Sequence, residues 1–136
     1  MDEVERIERA MIAIRRRQTR RTLAADAPSG QAFDVLDVVE DATAPTVSTV
    51  AAALAVDQPR ASKLVAAAVT AGYLRRAADQ SDGRRSLLVL TEQGRDLLDR
   101  AHERRRGAFD RAMTGWPDAD RAEFARLLGR FVDGLD

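Results

Sequence analysis

The sequence predicts a mostly helical fold of six helices, interrupted once by a two-stranded β-hairpin. The chain has 136 residues, which is enough for one domain with one core. Apolar residues make up 45% of it but aromatic residues only 4%, so the core must be aliphatic and alanine-rich, a composition that favours helices. Apolar residues recur at helical spacing except in residues 73–77 and 86–90, where the pattern becomes strand-like.

The first two helices are predicted over residues 2–24 and 31–41. The apolar residues of the first follow spacings of three and four, which places them on one stripe: Val4, Ile7, Met11 and Ile14. Residues 26–30 contain a proline and a glycine and are expected to separate the two helices. In the second helix, Phe33 and Leu36 face the core and the acidic residues lie opposite them.

A short helix is predicted next, over residues 49–54. Pro45 disfavours helical geometry in the residue before it, so residues 44–47 are expected to be extended. Ser48 is the predicted N-cap, because its hydroxyl oxygen can accept a hydrogen bond from a free backbone N–H of the first turn. A tight turn at residues 55–56 then leads into the following helix.

The following helix is predicted to run from residue 58 to about residue 71. Asp57 is its N-cap, and Pro59 stands in the first turn, where the missing N–H costs no hydrogen bond. Gly72 ends it, because glycine readily adopts the left-handed conformation that follows a helix. Polar residues fill the first turns of this helix, whereas its later apolar residues are expected to face the core.

The hairpin and two long helices complete the chain. Residues 73–77 and 86–90 are the predicted strands, and the loop between them contains an Asp-Gly pair, which is a turn signal. Thr91 is the predicted cap of a long helix, and Asp118 that of the last helix. The last helix has a broad apolar face, formed by Phe124, Leu127, Leu128, Phe131, Val132 and Leu135.

Composition excludes several function classes. The chain has no cysteine, which rules out a disulfide scaffold, a cysteine zinc site and a thiol redox switch. With His102 as the single histidine, no metal site or cofactor is expected. A hydrolase built on Asp34 and Asp37 is the enzymatic alternative. The lack of cysteine, the single histidine and the lack of a glycine-rich phosphate loop disfavour it. The charged N-terminus and the lack of long apolar runs predict a cytoplasmic protein that does not contact a membrane.

Charge is unevenly distributed although the net charge is zero. Residues 29–57 contain five acidic residues and no basic one, whereas residues 58–90 contain six basic and two acidic residues, a net charge of +4. Binding to phosphates requires a local basic surface of this kind, whatever the total charge. An ordinary solvated surface is the alternative, and for Arg75 and Arg76 pairing with an acidic residue is an equally good interpretation.

The element order predicts a winged helix-turn-helix, in which two short helices joined by a tight turn precede a basic hairpin. A helix that enters the major groove of DNA needs polar residues near its N-terminus, and residues 58–63 (Gln-Pro-Arg-Ala-Ser-Lys) supply them. The hairpin tip would present Arg84, after the flexible Gly83, to the narrow and negative minor groove. The sequence therefore predicts a DNA-binding domain.

Residues 47–94 resemble the MarR family of bacterial transcriptional regulators. The resemblance rests on Leu54-Ala55-Val56-Asp57-Gln58-Pro59 at the turn, Ala71-Gly72-Tyr73-Leu74 after the second helix, Asp79-x-x-Asp82-Gly83-Arg84-Arg85 in the wing and Leu90-Thr91-x-x-Gly94 beyond it. Two positions depart from the family pattern, which usually has glycine in place of Ala55 and often serine in place of Asp57. A left-handed Ala55 would cost about 1–2 kcal/mol, and the charge of Asp57 would oppose phosphate.

The resemblance implies a homodimer that binds a pseudo-palindromic operator in double-stranded DNA, most simply as a repressor. Residues 30–91 would form the DNA-binding lobe, and residues 1–28 and 92–136 the dimerisation region. The DNA-binding residues would be Gln58, Pro59, Arg60, Ser62, Lys63, Arg84 and Arg85, with Asp82 supporting the wing through an arginine. The resemblance also implies a small-molecule effector, whose site no residue of the sequence identifies.

The apolar stripes of the first and last helices favour a dimer independently of the resemblance. These stripes are Val4, Ile7, Met11 and Ile14 in the first helix and Phe124, Leu127, Leu128, Phe131 and Leu135 in the last. They exceed what a small lobe buries alone, so pairing of two chains would remove an exposed patch. Packing of the two helices within one chain is the structural alternative, and a winged helix that binds proteins instead of DNA is the functional one.

Overall fold

The computed structural model describes the backbone of residues 1–24 and 27–135, and the side chains of residues 1–18 and 31–135. Within these ranges it contains six helices and one antiparallel two-stranded sheet, which confirms the predicted mostly helical winged-helix fold. The elements are α1 (Glu3–Ala24), α2 (Ala27–Asp41), α3 (Val47–Leu54), α4 (Gln58–Thr70), β1 (Leu74–Ala78), β2 (Ser86–Leu90), α5 (Glu92–Ala112) and α6 (Asp118–Asp133). The chain forms two compact units, Met1–Asp99 and Arg100–Asp136. None of the helices in the described ranges is long and apolar enough to cross a bilayer.

The first unit has an aliphatic core, as the scarcity of aromatic residues requires. Leu36, Val50, Val65 and Leu98 are fully buried, and each such side chain stabilises the fold by about 1.5–3 kcal/mol relative to exposure. Small side chains let α2, α3 and α4 pack closely against one another, and the buried alanines of this region are Ala51, Ala61 and Ala68. The core thus fixes the orientation of the two short helices that precede the hairpin.

The predicted break between the first two helices is shorter than expected. α2 begins at Ala27, so Pro28 and Gly30 lie in its first turns, while Asp26 falls outside the described residues. Proline is tolerated at this position because the first N–H groups of a helix have no intrahelical partner. The proline therefore marks the beginning of α2 rather than a loop in front of it.

α3 begins two residues earlier than predicted, because Thr46 and not Ser48 is its N-cap. The Thr46 hydroxyl oxygen accepts a hydrogen bond from the N–H of Thr49 (3.3 Å), and the Thr49 hydroxyl oxygen accepts one from the N–H of Thr46 (3.0 Å). This reciprocal pair satisfies two backbone donors. Ser48 is followed three residues later by Ala51, which cannot reciprocate, so the cap two residues upstream is preferred.

Two alanines near the ends of α3 have left-handed backbone conformations. Ala44 (φ 53°) is left-handed rather than extended as predicted, and Ala55 (φ 55°, ψ 44°) ends α3. The N–H of Val56 then donates to the carbonyl oxygen of Ala51 (3.0 Å), which closes the helix end. The turn before α4 therefore has the strain expected when alanine stands in place of glycine, about 1–2 kcal/mol.

We expect Ala55→Gly to raise the free energy of unfolding by about 0.5–1 kcal/mol. Relief of left-handed strain contributes about 1–2 kcal/mol, and the greater entropy of glycine in the unfolded chain offsets about 0.5–1 kcal/mol of it. Ala53→Gly, at an exposed helical position of α3, is the control and should lower the free energy of unfolding by about 0.5–1 kcal/mol. Denaturant unfolding measures both variants. Equal destabilisation by the two substitutions would contradict the left-handed conformation of Ala55.

The hairpin is fixed at its base and exposed at its tip. β1 and β2 pair antiparallel with Leu74 opposite Leu90, and both of these side chains are buried. The N–H of Leu88 donates to the carbonyl oxygen of Pro45 (2.8 Å), which ties β2 to the segment before α3. Residues 80–86, by contrast, are all exposed. The first unit therefore presents the tip of this wing to solvent from a well-packed base.

In the second unit, α6 begins without a side-chain cap. Pro117 rather than Asp118 is the N-cap, and Asp118 lies in the first turn, where its negative charge is favourable at a helix N-terminus. Arg121 donates to Asp110 (2.7 Å) and to the carbonyl oxygen of Met113 (2.9 Å). These bonds connect α6 to the end of α5, and they fix the α5–α6 corner without the predicted cap.

Candidate nucleic-acid interface

The N-terminal half of α4 exposes a polar side and buries an apolar one. The exposed residues are Gln58, Pro59, Arg60, Ser62 and Lys63. Ala61 and Val65 are fully buried on the other side, which fixes the rotation of the helix about its axis. The carboxylate of Asp57 accepts a hydrogen bond from the N–H of Arg60 (2.7 Å), so the predicted N-cap is confirmed. All five predicted residues of α4 are therefore accessible to a partner.

The loop between β1 and β2 carries Arg84 at an exposed tip. The Asp82 carboxylate accepts a hydrogen bond from the N–H of Arg84 (3.1 Å), and the Asp82 carbonyl oxygen accepts one from the N–H of Arg85 (3.0 Å). An aspartate readily bonds to the backbone two residues further on, which closes a turn locally. Asp82 therefore contacts the wing arginines through their backbone N–H groups, and its support of the wing stays a prediction.

The acidic residue that meets an arginine in the wing is Asp79, which is buried. Its Oδ1 accepts hydrogen bonds from the Ser81 hydroxyl (2.7 Å) and the Ser81 N–H (2.9 Å), and its Oδ2 lies 3.9 Å from the Arg85 guanidinium. The Ser81 hydroxyl, then the Ser81 N–H and the charge of Arg85, lower the pKa of the Asp79 carboxyl. Arg85, predicted to contact DNA, is thus half-exposed, and its guanidinium lies near Asp79 in the wing loop.

We expect the Asp79 carboxyl to titrate below the ordinary aspartate pKa of about 3.9. Because the pKa is lowered in the folded protein, the carboxylate stabilises the wing at neutral pH, and this contribution is lost as the pH falls below about 4. Asp79→Ala removes both acceptor oxygens and should therefore speed hydrogen exchange of the Ser81 amide at neutral pH. Asp82→Ala is the matched control, since it removes the same charge from the wing but not the acceptor of the Ser81 amide. An Asp79 carboxyl that titrates by NMR at or above the ordinary value would contradict this.

The Leu90-Thr91-x-x-Gly94 motif joins the end of α4 to the start of α5. The Thr91 hydroxyl donates to the carbonyl oxygen of Gly72 (2.5 Å) and accepts from the N–H of Gly94 (3.1 Å), which confirms Thr91 as the α5 cap. A Cβ atom at Gly94 would overlap the carbonyl oxygen of Tyr73, so glycine allows this close approach. The motif therefore holds α4 and the hairpin in a fixed relation and is structural.

The apolar stripes of α1 and α6 are exposed. The α1 residues are between 36% and 74% exposed, and they are Val4, Ile7, Met11 and Ile14. The α6 residues are between 37% and 61% exposed, and they are Phe124, Leu127, Leu128, Phe131 and Leu135. Soluble monomers rarely leave contiguous apolar surfaces of this kind uncovered.

Residues 28–85 match the family model described as MarR family. The matched range includes the helix-turn-helix, β1, the wing loop as far as Arg85 and every predicted DNA-binding residue, and it ends before β2. Over this range the chain resembles the MarR family. The predicted resemblance is therefore confirmed, and the MarR match covers the same part of the chain whose polar residues are exposed on α4 and at the wing tip.

Solved structures share the whole MarR fold with this chain. A MarR family protein from Bacillus stearothermophilus has a TM-score of 0.81 at 18% identity, covering 96% of this chain and 91% of that one. RV1404 from Mycobacterium tuberculosis has a TM-score of 0.74 at 22% identity, covering 98% and 94%. CouR from Rhodococcus jostii RHA1, solved bound to p-coumaroyl-CoA, has a TM-score of 0.58 at 29% identity, covering 81% and 80%. No curated protein sequence matches the chain.

Two contacts of this winged-helix domain were not predicted from the sequence. Asp79 belongs to the wing motif, but its contact with Ser81 gives it a structural role that only the Asp-x-Ser spacing could have suggested. Ser48, predicted as a cap, instead accepts a hydrogen bond from the side-chain amide of Gln58 (3.4 Å). This second contact joins residues ten positions apart and depends on the angle between α3 and α4, which periodicity does not specify.

Proposed function

We propose that this protein binds double-stranded DNA as a homodimer and regulates transcription by occupying a pseudo-palindromic operator, most simply as a repressor. α4 would enter the major groove, and the wing would place Arg84 in the neighbouring minor groove. The observation that carries the proposal is the exposed polar side of α4 opposite the buried Ala61 and Val65. Base edges and phosphates are the partners that these donors and cations fit.

The local charge of the lobe supports the proposal although the net charge is zero. All six basic residues between positions 58 and 90 are exposed and lie on α4, on β1 or in the wing loop: Arg60, Lys63, Arg75, Arg76, Arg84 and Arg85. The two acidic residues of the same stretch, Asp79 and Asp82, both bond to groups within the wing loop. Cations that contact phosphates release counterions, so affinity should fall steeply with salt. Asp57 is exposed at the start of α4 and opposes phosphate, which should lower the affinity.

The exposed stripes of α1 and α6 support pairing of two chains. Burial of apolar surface stabilises an assembly by about 25 cal/mol per Å². A dimer that buries the stripes of α1 and α6 would therefore be more stable than two separate chains that leave them in water. A two-fold dimer would set its two winged lobes on half-sites about one helical turn of DNA apart. A regulator of this type needs no catalytic group, and we propose none.

Selection of duplexes from a random-sequence library, followed by fluorescence anisotropy at several salt concentrations, tests the proposal. Affinity should fall steeply with salt, with a log–log slope of about −0.9 per phosphate contact. Arg84→Ala should weaken binding to the selected duplex roughly tenfold without changing thermal unfolding. Arg95→Ala, which removes an exposed arginine of α5, is the control and should bind as the wild type does.

The outcomes separate the two functional alternatives. Absent or salt-independent binding would favour a winged helix that contacts a protein, an alternative to which the zero net charge and Asp57 lend some support. Unchanged affinity in Arg84→Ala, with salt-dependent binding retained, would refute the placement of the wing in the minor groove but leave α4 as the DNA-binding element.

A small-molecule effector is a second proposal, favoured by a cavity of about 230 Å³ in the first unit. Its lining is mostly apolar and consists of Gln31, Ala32, Leu64, Ala67, Ala68, Ala71, Tyr73 and Leu97. Because α4 forms one wall, a ligand that widens the cavity would displace α4 and alter DNA binding. Release of bound DNA by small aromatic acids, and loss of that response in Ala67→Leu, would support the proposal. If small aromatic acids release DNA from Ala67→Leu as they do from the wild type, the effector binds elsewhere.

A further inference from the structure

A side-chain hydrogen bond links the N-terminal turns of the two helices of the helix-turn-helix. The Nε2 of Gln58, the first residue of α4, donates to the hydroxyl oxygen of Ser48, the second residue of α3, at 3.4 Å. Both side chains are exposed. The neighbouring hydroxyls of Thr46 and Thr49 bond to each other and to the backbone of the α3 cap. Ser48 therefore contacts α4, whereas Thr46 and Thr49 stabilise the N-terminus of α3.

The remaining hydrogen-bonding capacity of Gln58 matches one base. A carboxamide has two N–H donors and one acceptor oxygen, and Ser48 takes one of the donors. One N–H and Oε1 are left, which is the pair that bonds to N7 and the N6 amino group of adenine in the major groove. Guanine presents acceptors at both N7 and O6, so Oε1 would face another acceptor there. The restrained amide therefore favours adenine over guanine.

Ser48 retains a donor when it accepts from Gln58. Its hydroxyl hydrogen can bond to a phosphate oxygen, and the unpaired N–H groups of the first turn of α3 favour an anion at the same place. A phosphate held there would fix Ser48, and Ser48 would fix the carboxamide of Gln58. Restraint before binding lowers the side-chain entropy lost on binding, which for a long side chain is worth roughly threefold to tenfold in affinity.

We propose that Gln58 reads an adenine in each half-site and that Ser48 is a positioning residue that orients its carboxamide. This inference rests on the proposed DNA-binding function and adds the base recognised and the residue that sets its discrimination. The ligand is an A·T pair in the major groove, with adenine on the strand that faces Gln58. Ser48 itself contacts only the phosphate and Gln58.

The test uses the full-length protein and duplexes selected by the wild type from a random library. At the half-site position where Gln58→Ala loses preference, wild-type protein should prefer A·T to G·C by roughly 5- to 150-fold. Ser48→Ala should still bind the selected duplex but show a preference roughly threefold to tenfold smaller. Ser48→Thr restores the hydroxyl and should restore the preference. Thr70→Ala, which removes an exposed hydroxyl at the other end of α4, is the matched control and should leave the preference unchanged.

Replacing the adenine at that position by 7-deazaadenine removes the N7 acceptor and should lower wild-type affinity but not that of Gln58→Ala. Undiminished discrimination in Ser48→Ala would overturn the positioning role, and a Gln58→Ala protein that keeps the wild-type preference at every half-site position would overturn the adenine contact. If the wild type enriches no duplex and shows no salt-dependent binding, the proposed function itself fails and this inference fails with it.

Discussion

Replacing Arg60 and Lys63 together by alanine is expected to lower affinity for the selected duplex roughly a hundredfold to a thousandfold. Both side chains are exposed on the accessible side of α4, and a homodimer has two copies of each, so the variant removes four cations from the interface. Each lost phosphate contact should reduce the magnitude of the salt slope by about one. The slope of the double variant should therefore be shallower than that of the wild type by about 3–4.

The fold should survive this substitution, because neither side chain contributes to the core. Surface changes of this kind alter the free energy of unfolding by about 0.5 kcal/mol or less. Arg95→Ala combined with Arg100→Ala is the matched control, since it removes the same charge from exposed positions of α5, outside the helix-turn-helix and the wing. An equal loss of affinity in both double variants would mean that total charge and not the edge of α4 governs binding.

Residues with special backbone requirements made the helix-turn-helix predictable. Asp57 and Pro59 indicated the start of α4 within one residue, and both behave in the structure as their chemistry requires. Gly72 indicated its end, and its positive φ of 87° agrees with that role, although the helix itself stops at Thr70. Such residues are reliable signals because their positions depend on the local backbone conformation and not on contact with a distant residue.

The errors arise where two residues compete for one role. Thr46 and Ser48 are both good caps, and the presence of Thr49 decided for the former through a second, reciprocal bond. In the wing, Asp79 and Asp82 are both acidic residues near arginines; the Asp79 carboxylate lies 3.9 Å from the Arg85 guanidinium, whereas the Asp82 carboxylate accepts from the N–H of Arg84. Sequence spacing identified the set of residues correctly in each case but not their assignment.

Amphipathic periodicity predicted the stripes of α1 and α6 but could not say what covers them. A spacing of three and four places apolar residues on one side of a helix whether that side meets the same chain or another. The structure leaves the stripes of both helices exposed, which is what a surface reserved for a second chain requires. Measuring the oligomeric state is therefore the most direct test of what the stripes of α1 and α6 do.

We expect Leu128→Asp to convert the proposed dimer into monomers and to lower DNA affinity roughly a hundredfold to ten-thousandfold. Leu128 lies in the middle of the α6 stripe and is 41% exposed in the single chain, so its replacement does not open a cavity in the core. In the dimer, however, the new carboxylate would be buried without a partner, which costs several kcal/mol at each copy. Separated lobes also lose the effective concentration that binding of the first lobe gives the second.

Ala122→Asp distinguishes loss of the interface from a general effect of the charge. It introduces the same carboxylate at an exposed position of α6 outside the apolar stripe, with a similar cost in helix propensity. Sedimentation over a range of protein concentrations should show a dimer for the wild type and Ala122→Asp and a folded monomer for Leu128→Asp. A Leu128→Asp protein that stays dimeric and binds the duplex normally would place the interface elsewhere. A monomeric wild type that binds DNA with full affinity would mean that one lobe suffices, and the exposed stripes would then need a different occupant.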